Sequence, residues 1–163
     1  MILVALGSNL GGPWGSPRDT LVHALSELDR AGSHVASVSP LMVTAPFGRL
    51  NQAPFVNAAA LIETHLPPEA LMQRLHAIEH QAGRRRTLRW GPRTLDLDLI
   101  DYHGQIRRGR LSLPHPGIAE RAFVLEPISR IAPKWRHPIT KLSAVHMLRR
   151  LGGTDEGRII SNA

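Results

Sequence analysis

The run Leu95-Asp96-Leu97-Asp98-Leu99-Ile100 narrows the possible folds more than any other stretch of the chain. Its apolar and acidic residues alternate with the period of two that belongs to an extended strand. Leu95, Leu97 and Leu99 therefore turn to one face, and Asp96 and Asp98 to the other. A fold that contains this strand must cover the leucine face with a hydrophobic layer. It must also bring positive charge to the acidic face. Aspartate is a poor strand former, so two of them at i, i+2 call for a local reason. The plain alternative is a solvated strand face beside a basic loop.

Two carboxylates held side by side repel each other unless a cation lies near them. Oxygen ligands of this kind suit Mg²⁺, which takes one or two protein carboxylates and completes its shell with water and phosphate oxygens. The residues just upstream supply complementary chemistry. Arg84, Arg85, Arg86, Arg89 and Arg93 carry guanidinium groups that fork onto phosphate and stay charged at any working pH. In Arg89-Trp90-Gly91-Pro92-Arg93-Thr94 a Gly-Pro turn sets them directly against the aspartate strand. The acid pair and the arginine cluster together read as a nucleoside-triphosphate site.

Charge agrees with that reading. The 163-residue chain has a net charge of +7, with eighteen arginines but only Lys134 and Lys141 as lysines. Such a balance favours a polyanionic partner, either nucleic acid or nucleotide phosphate. An aromatic content of 4% counts against a base-stacking surface. The absence of cysteine excludes disulfides, thiolate zinc sites and cysteine nucleophiles, and leaves oxygen or histidine to hold any metal. Length and a 42% hydrophobic content fit a single domain over residues 1–163 with its own core. The opening apolar run from Met1 to Leu6 is far shorter than the roughly 20 residues of a membrane span and reads as a first strand. A soluble cytoplasmic protein is expected.

Gly7-Ser8-Asn9-Leu10-Gly11-Gly12 follows as a tight turn, without the lysine of a P-loop or the spacing of a dinucleotide fingerprint. Ser16-Pro17 opens a helix striped by Leu21, Leu25 and Leu28, which Gly32 ends. His34 to Val43 reads as a second strand, shortened or bulged by Pro40. The loop from Thr44 to Pro54 is longer than a hairpin needs, a length often tied to function. Phe55 to Thr64 is a third strand. In it, Asn57 either hydrogen-bonds within the sheet or recognises a heterocycle beside Phe55. Pro67-Pro68-Glu69 begins a second helix with Leu71, Leu75 and Ile78 buried, and Gly83 stops it. Glu79 sits near the C-terminus of that helix, where the macrodipole disfavours a carboxylate, so a cationic neighbour is expected. Asp101 to Gln105 reads as a turn. Arg107, Arg108 and Arg110 form a second basic cluster, and His115 is held stiffly between Pro114 and Pro116. It serves either structure or a phosphate-binding face. A last main helix spans Glu120 to Ile131, and a polar, loosely ordered tail begins at about residue 152. Strand, helix, strand, strand, helix, strand is the split βαβ order, an α+β ferredoxin-like fold with an antiparallel sheet and helices mainly on one face.

With these residues laid out, the chain closely resembles the 6-hydroxymethyl-7,8-dihydropterin pyrophosphokinases of folate biosynthesis. Ala5-Leu6-Gly7-Ser8-Asn9-Leu10-Gly11, Phe55-Val56-Asn57-Ala58-Ala59 and Glu120-Arg121-Ala122-Phe123 carry the likeness, and Arg89-Trp90-Gly91-Pro92-Arg93-Thr94-Leu95-Asp96-Leu97-Asp98 is its most specific part. The resemblance implies transfer of the β,γ-diphosphate of MgATP to the pterin's primary alcohol, with release of AMP. It makes Asp96 and Asp98 the ligands of two Mg²⁺ ions, and Arg84, Arg93, Asp96 and Asp98 the catalytic set. It implies ATP contacts from Arg84, Arg86, Arg89, Arg93, Leu99, Arg110, Ser112, His115 and Arg121. It implies a pterin pocket of Thr44, Pro46, Phe47, Phe55, Asn57 and Phe123, with the ring between Phe55 and Phe123. Gly117 departs from the family pattern, which often has a basic residue there. The implied partners are ATP and the pterin, with no nucleic acid or membrane, and the chain is expected to be a monomer. A basic RNA-binding module on a similar sheet is the alternative, but it lacks the aromatic-rich motif of such domains.

Overall fold

The computed structural model describes residues 1–44, 53–84 and 93–152, and the backbone of 157–161. Strand β1 (Ile2–Ser8) is its centre, paired antiparallel with β4 (Phe55–Thr64) on one side and β5 (Asp96–Tyr102) on the other. Both β2 (Ser33–Val38) and β3 (Leu41–Thr44) pair with the far edge of the long β4. The single expected strand over 34–43 thus splits at Ser39-Pro40. Pro40 has no N–H to give a ladder, and buried Ser39 fills the gap. Its hydroxyl accepts from Ala59 N at 2.9 Å and its own N–H donates to Ala59 O at 2.9 Å. This is the ferredoxin-like order read from the sequence.

Helices α1 (Pro17–Leu28) and α2 (Pro68–Gln81) cover one face. The Ser16-Pro17 start holds through a capping box: Ser16 Oγ accepts from Asp19 N at 3.1 Å, and Ser16 N donates to Asp19 Oδ2 at 3.2 Å. Leu21, Leu28, Leu71, Leu75 and Ile78 pack beneath Ile2, Val4, Leu6, Leu95, Leu97 and Leu99. The alternation across residues 95–99 therefore lies as expected, leucines inward and aspartates away.

The helices do not lie mainly on one face. α3 (Ala122–Ile131) and α4 (Ala144–Arg150) build a second core with Leu3, Ala5, Ala59 and Ile100 on the opposite face. An unbroken apolar run in a central strand requires cover on both sides, and every residue of β1 is buried. The last helix begins at Ala122, after a short 3₁₀ turn over Ile118–Glu120, and α4 lies beyond the elements read from the sequence. In place of the loose tail, the backbone of β6 (Gly157–Ser161) pairs with β3.

Asp101 is likewise not in the turn expected of it. A bulge in β5 sets Leu3 opposite Asp101 and Val4 opposite Leu99. Asp101 thereby turns to the second face, where its carboxylate accepts from Trp135 Nε1 at 2.6 Å and Gly104 N at 2.9 Å. The turn proper follows at His103-Gly104. Trp135→Phe removes a donor from a buried carboxylate and is expected to cost about 1–3 kcal/mol. Urea denaturation measures the loss, and turnover is expected to stay near wild type.

Candidate functional site

At one end of β1 the second face presents Gly7, which has no side chain, and Phe123 from the first turn of α3 packs on this face. Backbone register lines up Asp96, Gly7, Asn57 and Met42 across β5, β1, β4 and β3. Asp98, Ala5 and Ala59 form the next row on the same face. A Cβ at Gly7 would meet Asn57 Oδ1 at 2.9 Å and Phe55 Cδ1 at 3.9 Å. Gly7 is a site residue that the turn reading missed, and its signal appears only in the register. Any side chain there would fill the floor between the acid pair and Asn57.

Asp96 lies between two arginines, and Asp98 between an arginine and a histidine. Arg84 Nη1 lies 3.1 Å from Asp96 Oδ1, and Arg93 Nη1 lies 2.7 Å from Asp96 Oδ2. Arg121 Nη1 is 3.4 Å from Asp98 Oδ2, and His115 Nε2 is 3.9 Å from Asp98 Oδ1. Four of the sequence-predicted phosphate contacts therefore meet at the acid pair. Arg84 is also paired with Glu79, whose carboxylate accepts from Leu97 N at 3.1 Å. The cationic neighbour expected for Glu79 is Arg84, and through it a buried carboxylate at the end of α2 fixes both the start of β5 and a guanidinium of the site.

His115 is set by its backbone. Its N–H donates to Ile100 O at 2.9 Å, and its Nδ1 accepts from Gly117 N at 3.1 Å, so Nε2 is the nitrogen that faces Asp98. Gly117 has a structural reason as well, since a Cβ there would lie 3.1 Å from Arg121 Nε. Burial pushes the Asp98 carboxyl above its usual range, and the charge of Asp96 adds to the shift, while His115, Arg121 and Arg84 oppose it. Burial pulls His115 below the ordinary histidine value, and Asp98 works against that.

Asn57 Nδ2 donates to Thr44 Oγ1 at 2.5 Å within the sheet, as its first reading has it, and its Oδ1 lies on the Gly7 side, where the second reading needs it. Phe55 is half-buried beside Gly7, and Phe123 packs on the same face from the first turn of α3. Leu99 is a different case: its side chain is buried in the opposite core, so only its backbone is available to a nucleotide. Arg110 is exposed, and Ser112 Oγ donates to Gly109 O at 3.2 Å. The structure does not bring these two residues to the acid pair by any described contact. Pro46, Phe47, Arg85, Arg86, Arg89 and Trp90 lie outside the described residues.

The donor set fits Mg²⁺. Two partly buried carboxylates share one surface, one of them is raised above its usual pKa by burial and then by the charge of the other, and among the described residues no cluster of three or more potential ligands would suit a closed metal cage. Mg²⁺ uses few protein ligands and leaves the rest of its shell to phosphate and water. An acid pair of this kind, ringed by arginines on a ferredoxin-like sheet, defines a phosphoryl-transfer enzyme.

Comparison with known proteins agrees. The model of the 7,8-dihydro-6-hydroxymethylpterin-pyrophosphokinase family matches residues 3–133. The 2-amino-4-hydroxy-6-hydroxymethyldihydropteridine pyrophosphokinase of Pseudomonas aeruginosa is 43% identical over 139 residues, 84% of this chain and 83% of its own. The Bacillus subtilis protein of the same name is 36% identical over 160 residues, 94% of this chain and 93% of its own. The solved structure of Plasmodium falciparum HPPK-DHPS superposes with a TM-score of 0.65 at 11% identity, covering 91% of this chain and 43% of that one, a likeness of fold. The chain belongs to the 7,8-dihydro-6-hydroxymethylpterin-pyrophosphokinase family and is a pyrophosphokinase of folate biosynthesis.

The raised Asp98 carboxyl gives a prediction on stability. A group whose pKa is higher folded than unfolded contributes stability below its unfolded value and loses it as pH rises through the folded value. In metal-free protein the ionised acid pair therefore weakens the fold near neutrality. Asp98→Asn is expected to raise the neutral-pH melting temperature and to remove this part of the pH dependence. Thermal unfolding with chelator across the acid-to-neutral range tests it, and a variant less stable than wild type at neutral pH contradicts it.

Proposed function

We propose that Asp96 and Asp98 hold two Mg²⁺ ions on the triphosphate of ATP, and that this chain transfers the β,γ-diphosphate to the hydroxymethyl oxygen of 6-hydroxymethyl-7,8-dihydropterin. The cross-strand row Asp96-Gly7-Asn57 carries this reading. Two strand spacings separate its ends, about 10 Å. A charged phosphate site and an amide suited to a heterocycle thus lie within one substrate length of each other.

Phosphoryl-type transfer asks mainly for positioning and charge neutralisation, so it needs no covalent nucleophile. Arg84 and Arg93 orient phosphate oxygens from the Asp96 side, and His115 and Arg121 from the Asp98 side. The hydroxymethyl oxygen attacks the β-phosphorus as the bond to the α,β-bridging oxygen breaks. AMP leaves with that oxygen, and the alcohol proton is released. When bound, Mg²⁺ supplies neutralisation of the phosphate charge and a lowered pKa for the acceptor hydroxyl. Asp96 is placed to orient that hydroxyl. Arg86 and Arg89 complete the phosphate contacts, and Arg110, Ser112 and the backbone of Leu99 serve the nucleoside.

On the pterin side, Phe55 and Phe123 stack on the two faces of the ring, and Thr44 and Asn57 meet its edge with Pro46 and Phe47. Asn57 Oδ1 faces Gly7, an acceptor suited to the ring's amino group. The proposed oligomeric state is a monomer. ATP as co-substrate and a cysteine-free chain support a cytoplasmic enzyme, and no helix among the described residues is long and apolar enough to cross a membrane.

Incubation with ATP, Mg²⁺ and the hydroxymethyl-dihydropterin is expected to give pterin-dependent AMP, detected by nucleotide chromatography. ADP instead would mean transfer of a single phosphoryl group and would overturn the reading. Phe123→Ala is expected to weaken pterin binding at least tenfold more than ATP binding, because stacking serves only the former. Equal losses in calorimetric titrations would contradict the pocket.

A further inference from the structure

The loop that follows β1 grips segments on both sides of the site. Asn9 Oδ1 accepts from Arg93 N at 2.8 Å, and Asn9 Nδ2 donates to Ala53 O at 3.2 Å. Both partners are backbone groups of fixed polarity, so they determine which way the amide points. The N–H groups of Asn9 and Leu10 also donate to Arg93 O, at 3.1 and 3.2 Å. The same loop meets the other end of the arginine segment, since a Cβ at Gly83 would lie 2.8 Å from Pro13 Cδ. Gly12 is equally confined, its own Cβ position being 3.0 Å from both Ala82 O and Thr94 Cγ2.

Arg93 pairs with Asp96, and Ala53 stands two residues before Phe55. One buried side chain therefore ties the backbone of a nucleotide-side cation to the backbone that leads into the pterin-side strand. We propose that Asn9 is a positioning residue that couples the two substrate sites, so that occupation of one strengthens binding at the other. The inference rests on the function proposed above. Asn9 acts through these two backbone groups. It fixes where Arg93 and Phe55 stand relative to each other, and a ligand that draws in one also sets the other. The amide serves both partners at once, whereas the carboxylate of aspartate can accept from Arg93 N but cannot donate to Ala53 O.

That difference supplies the test. The affinity of a non-hydrolysable ATP analogue is measured calorimetrically with and without the pterin, and the pterin's with and without the analogue, in Mg²⁺ buffer. Coupling must be reciprocal, and typical couplings correspond to about 5–150-fold. Wild type is expected to show mutual strengthening in that range. Asn9→Asp is expected to lose most of it while its affinity for the analogue alone stays within about threefold. Asn9→Ser, able to hold one partner only, is expected to do the same and stands in should Asn9→Asp not fold. Wild-type coupling retained in either folded variant overturns the proposal. So does a uniform loss of both affinities with the coupling intact, the mark of a merely structural residue. Wild-type protein that binds both ligands independently also overturns it while leaving the proposed function standing. Wild-type protein that binds no pterin overturns that function and the coupling with it.

Discussion

Repulsion between Asp96 and Asp98 is the constraint on which the rest of the site depends. Two carboxylates on one side of one strand cannot both ionise cheaply, and burial of Asp98 sharpens the conflict. The fold answers with three arginines and a histidine brought from three places. Arg84 follows the end of α2, Arg93 immediately precedes β5, and His115 and Arg121 come from the segment that leads into α3. Only Arg93 is a near neighbour in sequence; the other three come from more distant chain. The same groups that relieve the acid pair are the ones suited to phosphate, so the charge pattern that stabilises the metal-free protein is also the pattern that receives a metal nucleotide. Stability and function pull in opposite directions at Asp98, as they commonly do where a site is preorganised.

Everything else holds this conflict at a fixed address. Leu95, Leu97 and Leu99, which alternate with the aspartates, anchor β5 to the core of α1 and α2. Glu79, at the end of α2, clasps Leu97 N and Arg84 together. On the opposite face, α3 and α4 build the second core, and Gly7 stands between Asp96 and Asn57 at one end of that face. The site therefore lies on the same face as the second core. One glycine in the central strand keeps its floor flat.

Much of this was legible in the sequence because it depended on local periodicity. The alternation over residues 95–99 gave the strand and its two faces, Ser16-Pro17 gave the start of α1, and the position of Glu79 gave its need for a cation. Features that depended on register or on distant chain were not legible. Asp101 looks like the start of a turn until the bulge opposite Leu3 rotates it toward Trp135. Pairing of β6 with β3 is a backbone event that a polar tail does not advertise. The helices on the second face were discoverable, since the unbroken apolar run of β1 already demanded cover on both sides. Gly7 and Asn9 read as turn residues, and only the folded chain sets one beside Asn57 and the other between Arg93 and Ala53.

The most direct measurement is calorimetric binding of a non-hydrolysable ATP analogue to wild type, Asp96→Asn and Asp98→Asn, each with Mg²⁺ and with chelator. If the acid pair is the metal-nucleotide site, tight binding needs both Mg²⁺ and both carboxylates, and each variant with Mg²⁺ falls to the level of wild type in chelator. Undiminished binding by the variants, or binding by wild type that ignores Mg²⁺, would contradict it.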